Sequence, residues 1–486
     1  MGLLNKLWQQ WHHAKNDEVN EPLIVNGQSF NYAPHFINGE RLVIDAKRHL
    51  DVKNPCTGQL ERRISVAEDT TVANAVRIAK DSLFLWSGTP YIERLRVIEH
   101  FKNAFALQRQ ALSEVLQQES GLSEAEVKVE MEVTNEAIIY ALTASQFKSN
   151  ANSNWGDADA WIQHSIGPVG VVTVVCDERQ TMKSLVSEVV VALLCGNTLL
   201  IKSHPCQPLL PVLLGDWLAQ SGLPNGAYNV LQGDDAVTHI LHHHPDVDAI
   251  SYVFIEPVTK QAHLRQRQTV LAQNFIVLDN NVDMDKVWSQ FVAGPSVRLN
   301  MPIWMVVGDE ADVLLEKWQH YLQHQKAVVL SGEDGLKCCS SLLQQAAEVG
   351  ADIVIDGSQM PLPEQGWYMG KSLIGNITPE MGLHQVASNR LAVMVMRVPD
   401  LNAAIDVINQ THNVGGVSLF SSNITSMWHF KQSLRQAEVI SFNRMELVPS
   451  LNLPRGDITH VLAVGGQHAA RWQFYARHQL IVGSIH

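Results

Sequence analysis

A chain of 486 residues with 46% hydrophobic and 17% charged side chains has enough apolar material for more than one globular domain. Its net charge of -13 argues against a general nucleic-acid binder, which needs a basic face for the phosphates. No apolar run reaches the ~20 residues of a membrane helix, and six scattered cysteines without a C-x-x-C pair suit a reduced, cytoplasmic setting.

The first residues do not read as a secretory signal, because charged and apolar side chains interleave and no h-region follows. Lys6 stands where a myristoylation signal on Gly2 needs Ser or Thr. Leu4, Leu7, Trp8 and Trp11 recur at helical spacing and predict a short amphipathic helix. Docked on its own domain, this is an ordinary N-terminal helix; left in water, its two Trp point to a protein partner or a membrane surface. Residues 16–32 read as a linker. Residues 35–66 alternate short strands with turns at Asn38-Gly39 and Asn54-Pro55. Residues 69–148 are poor in Gly and Pro and predict several helices, and 150–159 form a polar break.

The chain is organised around 168–202. Residues 171–175 are a β-branched run, 176–181 a polar loop, 182–194 an apolar helix, and 198–202 a second strand ending on Lys202. Strand, helix, strand is a βαβ unit with parallel strands. Ligands of open parallel sheets sit outside the carboxyl ends of the strands, so the 176–181 loop and Lys202 are the expected contact points. Downstream, 208–221, 236–243 and 258–271 read as helices and 227–231, 249–254 and 275–278 as strands, the signature of a parallel sheet with helices on its faces. A second α/β segment follows, with strands at 306–307, 353–355 and 392–398 and helices at 311–325, 337–349 and 401–411. A strand-like tail spans 472–485 after Gly465-Gly466.

Three features invite chemistry. His242-His243-His244 has no matching Cys or carboxylate cluster, and adjacent side chains on a helix diverge, so no metal site is expected there. Cys338 and Cys339 read as buried thiols. Cys176 reads as a buried strand-end thiol placed where it meets any ligand of the loop. The 21 histidines read as scattered surface residues rather than a pH sensor.

Several motifs together resemble the aldehyde dehydrogenase superfamily. Phe36-Ile37-Asn38-Gly39 and Asn54-Pro55-Cys56-Thr57-Gly58 resemble its N-terminal turns. Cys195-Gly196-Asn197-Thr198 with Lys202, the run Ser221-Gly222-Leu223-Pro224-Asn225-Gly226 with Asn229-Val230 and Gly233, and His244-Pro245-Asp246 with Ile250-Ser251-Tyr252-Val253 resemble its central segments. Arg455-Gly456-Asp457 and Gln473-Phe474-Tyr475 resemble the tail of the methylmalonate-semialdehyde dehydrogenase branch. The resemblance implies an α/β fold. A dinucleotide-binding-type domain is expected at 35–150 and 167–279, a second, catalytic-type domain at 280–450, and an oligomerisation arm at 151–166 and 451–486, behind an N-terminal helix and linker at 1–34. Within the arm, 161–164 and 474–485 are expected to pair strands across a dimer, giving a homodimer or a dimer of dimers.

The resemblance also implies a chemistry: a Cys thiolate attacks an aldehyde, hydride leaves to NAD(P), and the thioester is hydrolysed or passed to CoA. The residues at the matching positions depart from it. Val297 or Arg298 stands at the nucleophile, with Ser296 the nearest hydroxyl. Arg179 stands at the oxyanion Asn, and Phe254 and Glu256 replace the pyrophosphate turn. Arg390 lies in the run that matches the nicotinamide-ribose Glu segment, and Asn274 takes the general-base position, as it also does in the methylmalonate-semialdehyde branch. Lys202 is the main cofactor-type residue retained.

The expectation is therefore a family scaffold without catalysis, with no bound cofactor, acting by binding or as a subunit. The alternative is an active NAD(P)-dependent semialdehyde dehydrogenase with a rebuilt site, using Cys176 and CoA as acceptor. A third reading places function in the N-terminal helix as an anchor.

Overall fold

The computed structural model describes residues 23–25, 28–145, 152–153, 160–178, 180–253, 264–269, 273–280, 282–293, 301–385, 391–412, 414–435, 437, 439–445 and 468–484. The N-terminal helix expected at 1–16 lies outside them. The chain divides into two compact units, Met1–Gln268 with Ala470–His486, and Thr269–Ala469.

In the first unit, Leu23–Val25 (β1) and Gln28–Phe30 (β2) pair antiparallel within the stretch expected as a linker. Tyr32–Ala33 (β3), His35–Ile37 (β4), Glu40–Leu42 (β5), His49–Lys53 (β6) and Leu60–Ser65 (β7) follow. The β4–β5 hairpin turns on Asn38 and Gly39, both at positive φ. Gly39 is required there, since a Cβ would lie 2.4 Å from Asn225 Oδ1. The Gly- and Pro-poor region forms Asp69–Gly88 (α1), Tyr91–Leu107 (α2), Arg109–Ser120 (α3) and Glu124–Ser145 (α4). Asn152–Ser153 (β8) and Ala160–Pro168 (β9) follow.

The alternating segment then forms Val171–Val175 (β10), Met182–Leu194 (α5), Thr198–Lys202 (β11), Leu209–Gln220 (α6), Tyr228–Leu231 (β12), Asp235–His243 (α7), Ala249–Val253 (β13) and Arg265–Thr269 (β14). The sheet order is β14-β13-β10-β11-β12-β4-β5. β10 to β13 run parallel, and β4 lies antiparallel on β12. Every residue of β10, β11, β12 and β13 is buried. Strands covered on both faces read as continuous apolar runs, which is why they show so clearly in the sequence.

All of α5 except Lys183 is buried, and it packs against α4 and the sheet. Each fully buried Leu or Val contributes roughly 1.5–3 kcal/mol. The turn after α5 explains the Gly-Asn pair. Gly196 has φ +90°, and a Cβ there would lie 2.2 Å from the Arg94 guanidinium. Asn197 Oδ1 accepts the N–H groups of Val169 and Gly170 at 2.8 and 3.0 Å, and its Nδ2 donates to the carbonyls of Ala192 and Tyr475 at 3.0 and 2.8 Å.

The helix expected over 258–271 is corrected at its described part: 265–269 is strand β14, beside β13. The pattern there has a period of two, with Arg265 exposed and Arg267 buried.

In the second unit, Gln273–Leu278 (β15), Met284–Ala293 (α8), Ile303–Val307 (β16), Ala311–Leu322 (α9), Val328–Val329 (β17), Glu333–Glu348 (α10), Asp352–Ile355 (β18) and Tyr368–Met369 (β19) are followed by Ser372–Ile377 (β20), Ala392–Val398 (β21), Leu401–Gln410 (α11), Val414–Phe420 (β22), Ile424–Ser433 (α12) and Val439–Phe442 (β23). The sheet order is β18-β20-β21-β16-β15-β22-β23, with only β18 antiparallel to its neighbour. β15 alternates between two cores: Phe275 and Val277 enter one, Ile276 and Leu278 the other. The break between units therefore precedes β15, rather than following it at 279, because 273–278 is a central strand of this second sheet.

The C-terminal segment returns to the first unit as His468–Tyr475 (α13) and Ala476–Ser484 (β24). Residues 472–475, expected as strand, are helical. Helical spacing puts Arg471 and Tyr475 on one face, and both reach Glu188. β24 pairs antiparallel along β9, from Ala476 opposite Pro168 to Ser484 opposite Ala160. Among the described residues no helix is long and apolar enough to cross a membrane.

Candidate functional site

In the first unit, β10 has β11 on one side and β13 on the other, so the chain reverses its direction of strand addition at β10. The crevice outside the carboxyl ends of such strands is where ligands of this sheet type bind. Val175 lies opposite both Lys202 and Tyr252. The next residue, Cys176, donates its N–H to the Lys202 carbonyl at 3.0 Å.

Cys176 is 1% exposed. Burial pushes its thiol up to about 12, against the opposing pull of the Lys202 ammonium and a hydrogen bond from Gln180. A thiol held neutral is a poor nucleophile. Lys202 is also 1% exposed. Burial holds its pKa below the usual lysine value, with Cys176, Asp235, Asp234 and Asp177 pulling the other way. Among the described residues no hydrogen bond or ion pair reaches its ammonium. Burying a cation is expensive. Lys202 fits a site completed by a hydroxyl-bearing or anionic ligand.

Nearby groups are already engaged. At the start of α5, Thr181 and Ser184 cap each other reciprocally: Ser184 N–H donates to Thr181 Oγ1 and Thr181 N–H to Ser184 Oγ, each at 3.1 Å. The Lys183 N–H donates to Glu130 Oε1 at 3.0 Å. At the ends of β11 and β12, Ser203, Gln232 and His35 form a buried network: Gln232 N–H donates to His35 Nδ1 at 3.2 Å, and its amide donates to Pro34 and Pro208 carbonyls at 2.9 and 3.0 Å. Burial lowers His35 to about 4, so it is neutral.

Behind the crevice lies a charged cluster. Glu188, in the middle of the apolar helix α5, is 1% exposed. Arg267 Nη1 lies 2.7 Å from both its oxygens and Arg471 Nε 2.5 Å from Oε1; Tyr475 and Ser251 donate hydroxyls to it. Burial alone would raise the Glu188 carboxyl, but Arg267 and Arg471 overcome it and hold the group down at about 2. The lone Glu within 182–194 was the signal for this cluster; its partners sit far away in sequence.

In the second unit, Asn274 is buried, and its Oδ1 accepts the Gly416 N–H at 2.8 Å. It ties β15 to β22, and an amide offers no base. The other expected site positions, Arg179, Phe254, Glu256, Ser296, Val297, Arg298 and Arg390, lie outside the described residues. Cys339 is buried on α10, as expected, but Cys338 is exposed because it faces away from the sheet side marked by Cys339, Leu342 and Leu343. His242 is buried and bonds through Nδ1 to Tyr252 Oη at 2.6 Å, while His244 Nδ1 accepts the Asp246 N–H at 3.2 Å. The histidine triplet therefore does not converge.

The model of the aldehyde dehydrogenase family matches residues 43–297 and 329–456. The chain belongs to the aldehyde dehydrogenase family. A malonate-semialdehyde dehydrogenase from Bacillus velezensis is 24% identical over 424 residues, covering 82% of this chain and 86% of that protein. Among solved structures, methylmalonate-semialdehyde dehydrogenase from Oceanimonas doudoroffii superposes with a TM-score of 0.81 at 22% identity, covering 93% of this chain and 98% of that one. The NADP-dependent glyceraldehyde-3-phosphate dehydrogenase from Bacillus halodurans C-125, solved with NADP, gives 0.81 at 18% identity over 94% and 100%. The α/β aldehyde dehydrogenase fold expected from the motifs is thus the fold observed.

Proposed function

We propose that this family member binds a ligand at the carboxyl ends of β10 and β11, through Lys202, and does not oxidise aldehydes through a thioester. The observation that carries this reading is the distribution of thiols. The sequence has no cysteine between Cys206 and Cys338, a span that includes every position matching the family nucleophile. The two thiols of the second unit sit side by side on α10. Cys176 is buried and protonated. Asn274 supplies a structural hydrogen bond rather than a base. The chain then works by binding, alone or as a subunit beside an active relative, with the arm formed by β9 and β24 as the surface for a homodimer.

Lys202 supports a retained nucleotide cleft. NAD(P) would meet its ammonium, and a bound nucleotide would supply hydride acceptance to any chemistry performed beside it. This revises the expectation that no cofactor binds. The test is thermal unfolding of the full chain with NAD(H), NADP(H) or CoA, in wild type and Lys202→Met. A ligand at a hundredfold excess over its dissociation constant stabilises by about 2.7 kcal/mol. The reading predicts a raised melting temperature for a nucleotide in wild type only. An equal rise in Lys202→Met, or none with any of these ligands, contradicts it.

A second reading is favoured by the relatives, which are named malonate-semialdehyde dehydrogenases. Under it this chain is an active NAD(P)-dependent semialdehyde oxidoreductase. It then needs a nucleophile other than a thiol of the second unit, and turnover by the purified protein decides between the two.

A further inference from the structure

Two helices, one in each unit, carry the same ladder of side chains at their ends. On α7 it is Asp235, His239 and His243; on α9 and its closing turn it is Glu316, His320 and His324. Spacing by four puts each set on one face, and all six residues are exposed. The rings of His239 and His243 are 4.1 Å apart between centroids and inclined by 34°, and those of His320 and His324 are 5.0 Å apart at 36°.

A hydrogen bond fixes the proton in both pairs. His243 Nδ1 lies 2.8 Å from the His239 carbonyl oxygen, and His324 Nδ1 lies 2.8 Å from that of His320. A carbonyl only accepts, so Nδ1 carries the proton and the neutral ring presents its Nε2 lone pair outward. A backbone-anchored imidazole of this kind is oriented as a metal ligand.

We propose that His239 and His243 form a two-imidazole chelate for a divalent late transition-metal ion, and that His320 and His324 form a second of the same kind. Two nitrogens at ~2.0–2.1 Å from one ion lie about 3 Å from each other, and the His239 and His243 ring centroids lie 4.1 Å apart. Helical side chains lean toward the N-terminus, so the ion sits over the preceding turn of each helix. Water completes the coordination. Imidazole ligands select Cu2+, Ni2+ or Zn2+ over Mg2+ or Ca2+, with Cu2+ the tightest. His242 takes no part, since it is buried on Tyr252. The four histidines take no part in the proposed ligand cleft, although Asp235 also acts on Lys202 there.

The test is calorimetric titration of the full chain with Ni2+, in wild type, His243→Gln, His239→Gln and His324→Gln. All three positions are exposed, and unchanged melting temperatures without metal confirm that the variants fold. His239→Gln leaves the His243 bond to the backbone in place and so removes only the ligand. Each variant is expected to lose one binding equivalent relative to wild type, and His243→Gln with His324→Gln to lose two. With Cu2+, nitrogen couplings in the electron paramagnetic resonance spectrum should weaken in step. Unchanged Ni2+ stoichiometry and affinity in His239→Gln and His243→Gln would overturn the α7 site, and in His324→Gln the α9 site.

Discussion

Cys176 donates its backbone N–H to the Lys202 carbonyl at 3.0 Å, and the two residues end neighbouring parallel strands with both side chains buried. One is a thiol held neutral by burial; the other is a cation with no described partner. Of the two, only Lys202 offers a cleft ligand an ionic contact. Lys202→Met should therefore abolish ligand-induced stabilisation while raising the stability of the ligand-free protein by about 1–3 kcal/mol, because burial disfavours the charged form of Lys202. Urea unfolding with and without ligand measures both effects.

Thiol reactivity follows from the same geometry. With a disulfide reagent under native conditions, exposed Cys338 should react, and Cys176 should react only after unfolding. Cys176→Ala should leave ligand binding unchanged and cost about 1 kcal/mol of stability through a small cavity. Fast native labelling of Cys176, mapped by mass spectrometry, would show that the crevice exposes it.

Glu188→Gln removes a carboxylate that Arg267 and Arg471 share. Breaking one side of a buried ion pair costs about 3–5 kcal/mol. A large fall in melting temperature is expected, with loosened docking of α13 read by hydrogen exchange at 471–475. A change within about 0.5 kcal/mol, the range of ordinary surface substitutions, would mean that the cluster holds little.

Three buried groups set opposing pH slopes. Glu119 accepts the N–H groups of Leu209 and Leu210 at the start of α6, at 2.8 and 3.4 Å, and burial raises it to about 7. Its contribution to stability is full below its ordinary 4.5 and is lost as pH rises through 7. His35, lowered to about 4, contributes above its ordinary 6.5 and loses that contribution as pH falls through 4. Glu188, lowered to about 2, contributes above 4.5 and loses that as pH falls through 2. Glu119→Gln should steepen the fall in stability below pH 6.5, because it removes the one group of the three that favours acid. Unfolding midpoints between pH 4 and 8 check this.

Much of the fold was readable because its strands are buried on both faces. Val171–Val175 and Thr198–Lys202 have no polar alternation to confuse them with surface strands, and the Gly196-Asn197 turn is specified by a positive φ and by four hydrogen bonds of one amide. What the sequence hid depended on distant partners. Arg265–Thr269 reads as part of a helix until Glu188 is seen to bury Arg267. Phe275–Leu278 has the same composition as the strands before it, and only its pairing with β16 and β22 assigns it to the second sheet. At the site, the absence of cysteine between Cys206 and Cys338 is visible in the sequence. The burial of Cys176 and of Lys202 comes from packing at the ends of β10 and β11.

Single-turnover absorbance at 340 nm tests whether the chain carries out thioester chemistry. Purified full-length protein, in excess over malonate or methylmalonate semialdehyde, is mixed with NAD or NADP, with and without CoA. If the proposed function holds, no reduced nucleotide forms beyond the protein-free control, under the same conditions in which Lys202-dependent nucleotide binding is seen. A burst of reduced nucleotide stoichiometric with the semialdehyde would contradict it, and the next step would then be to trap and map the acylated residue.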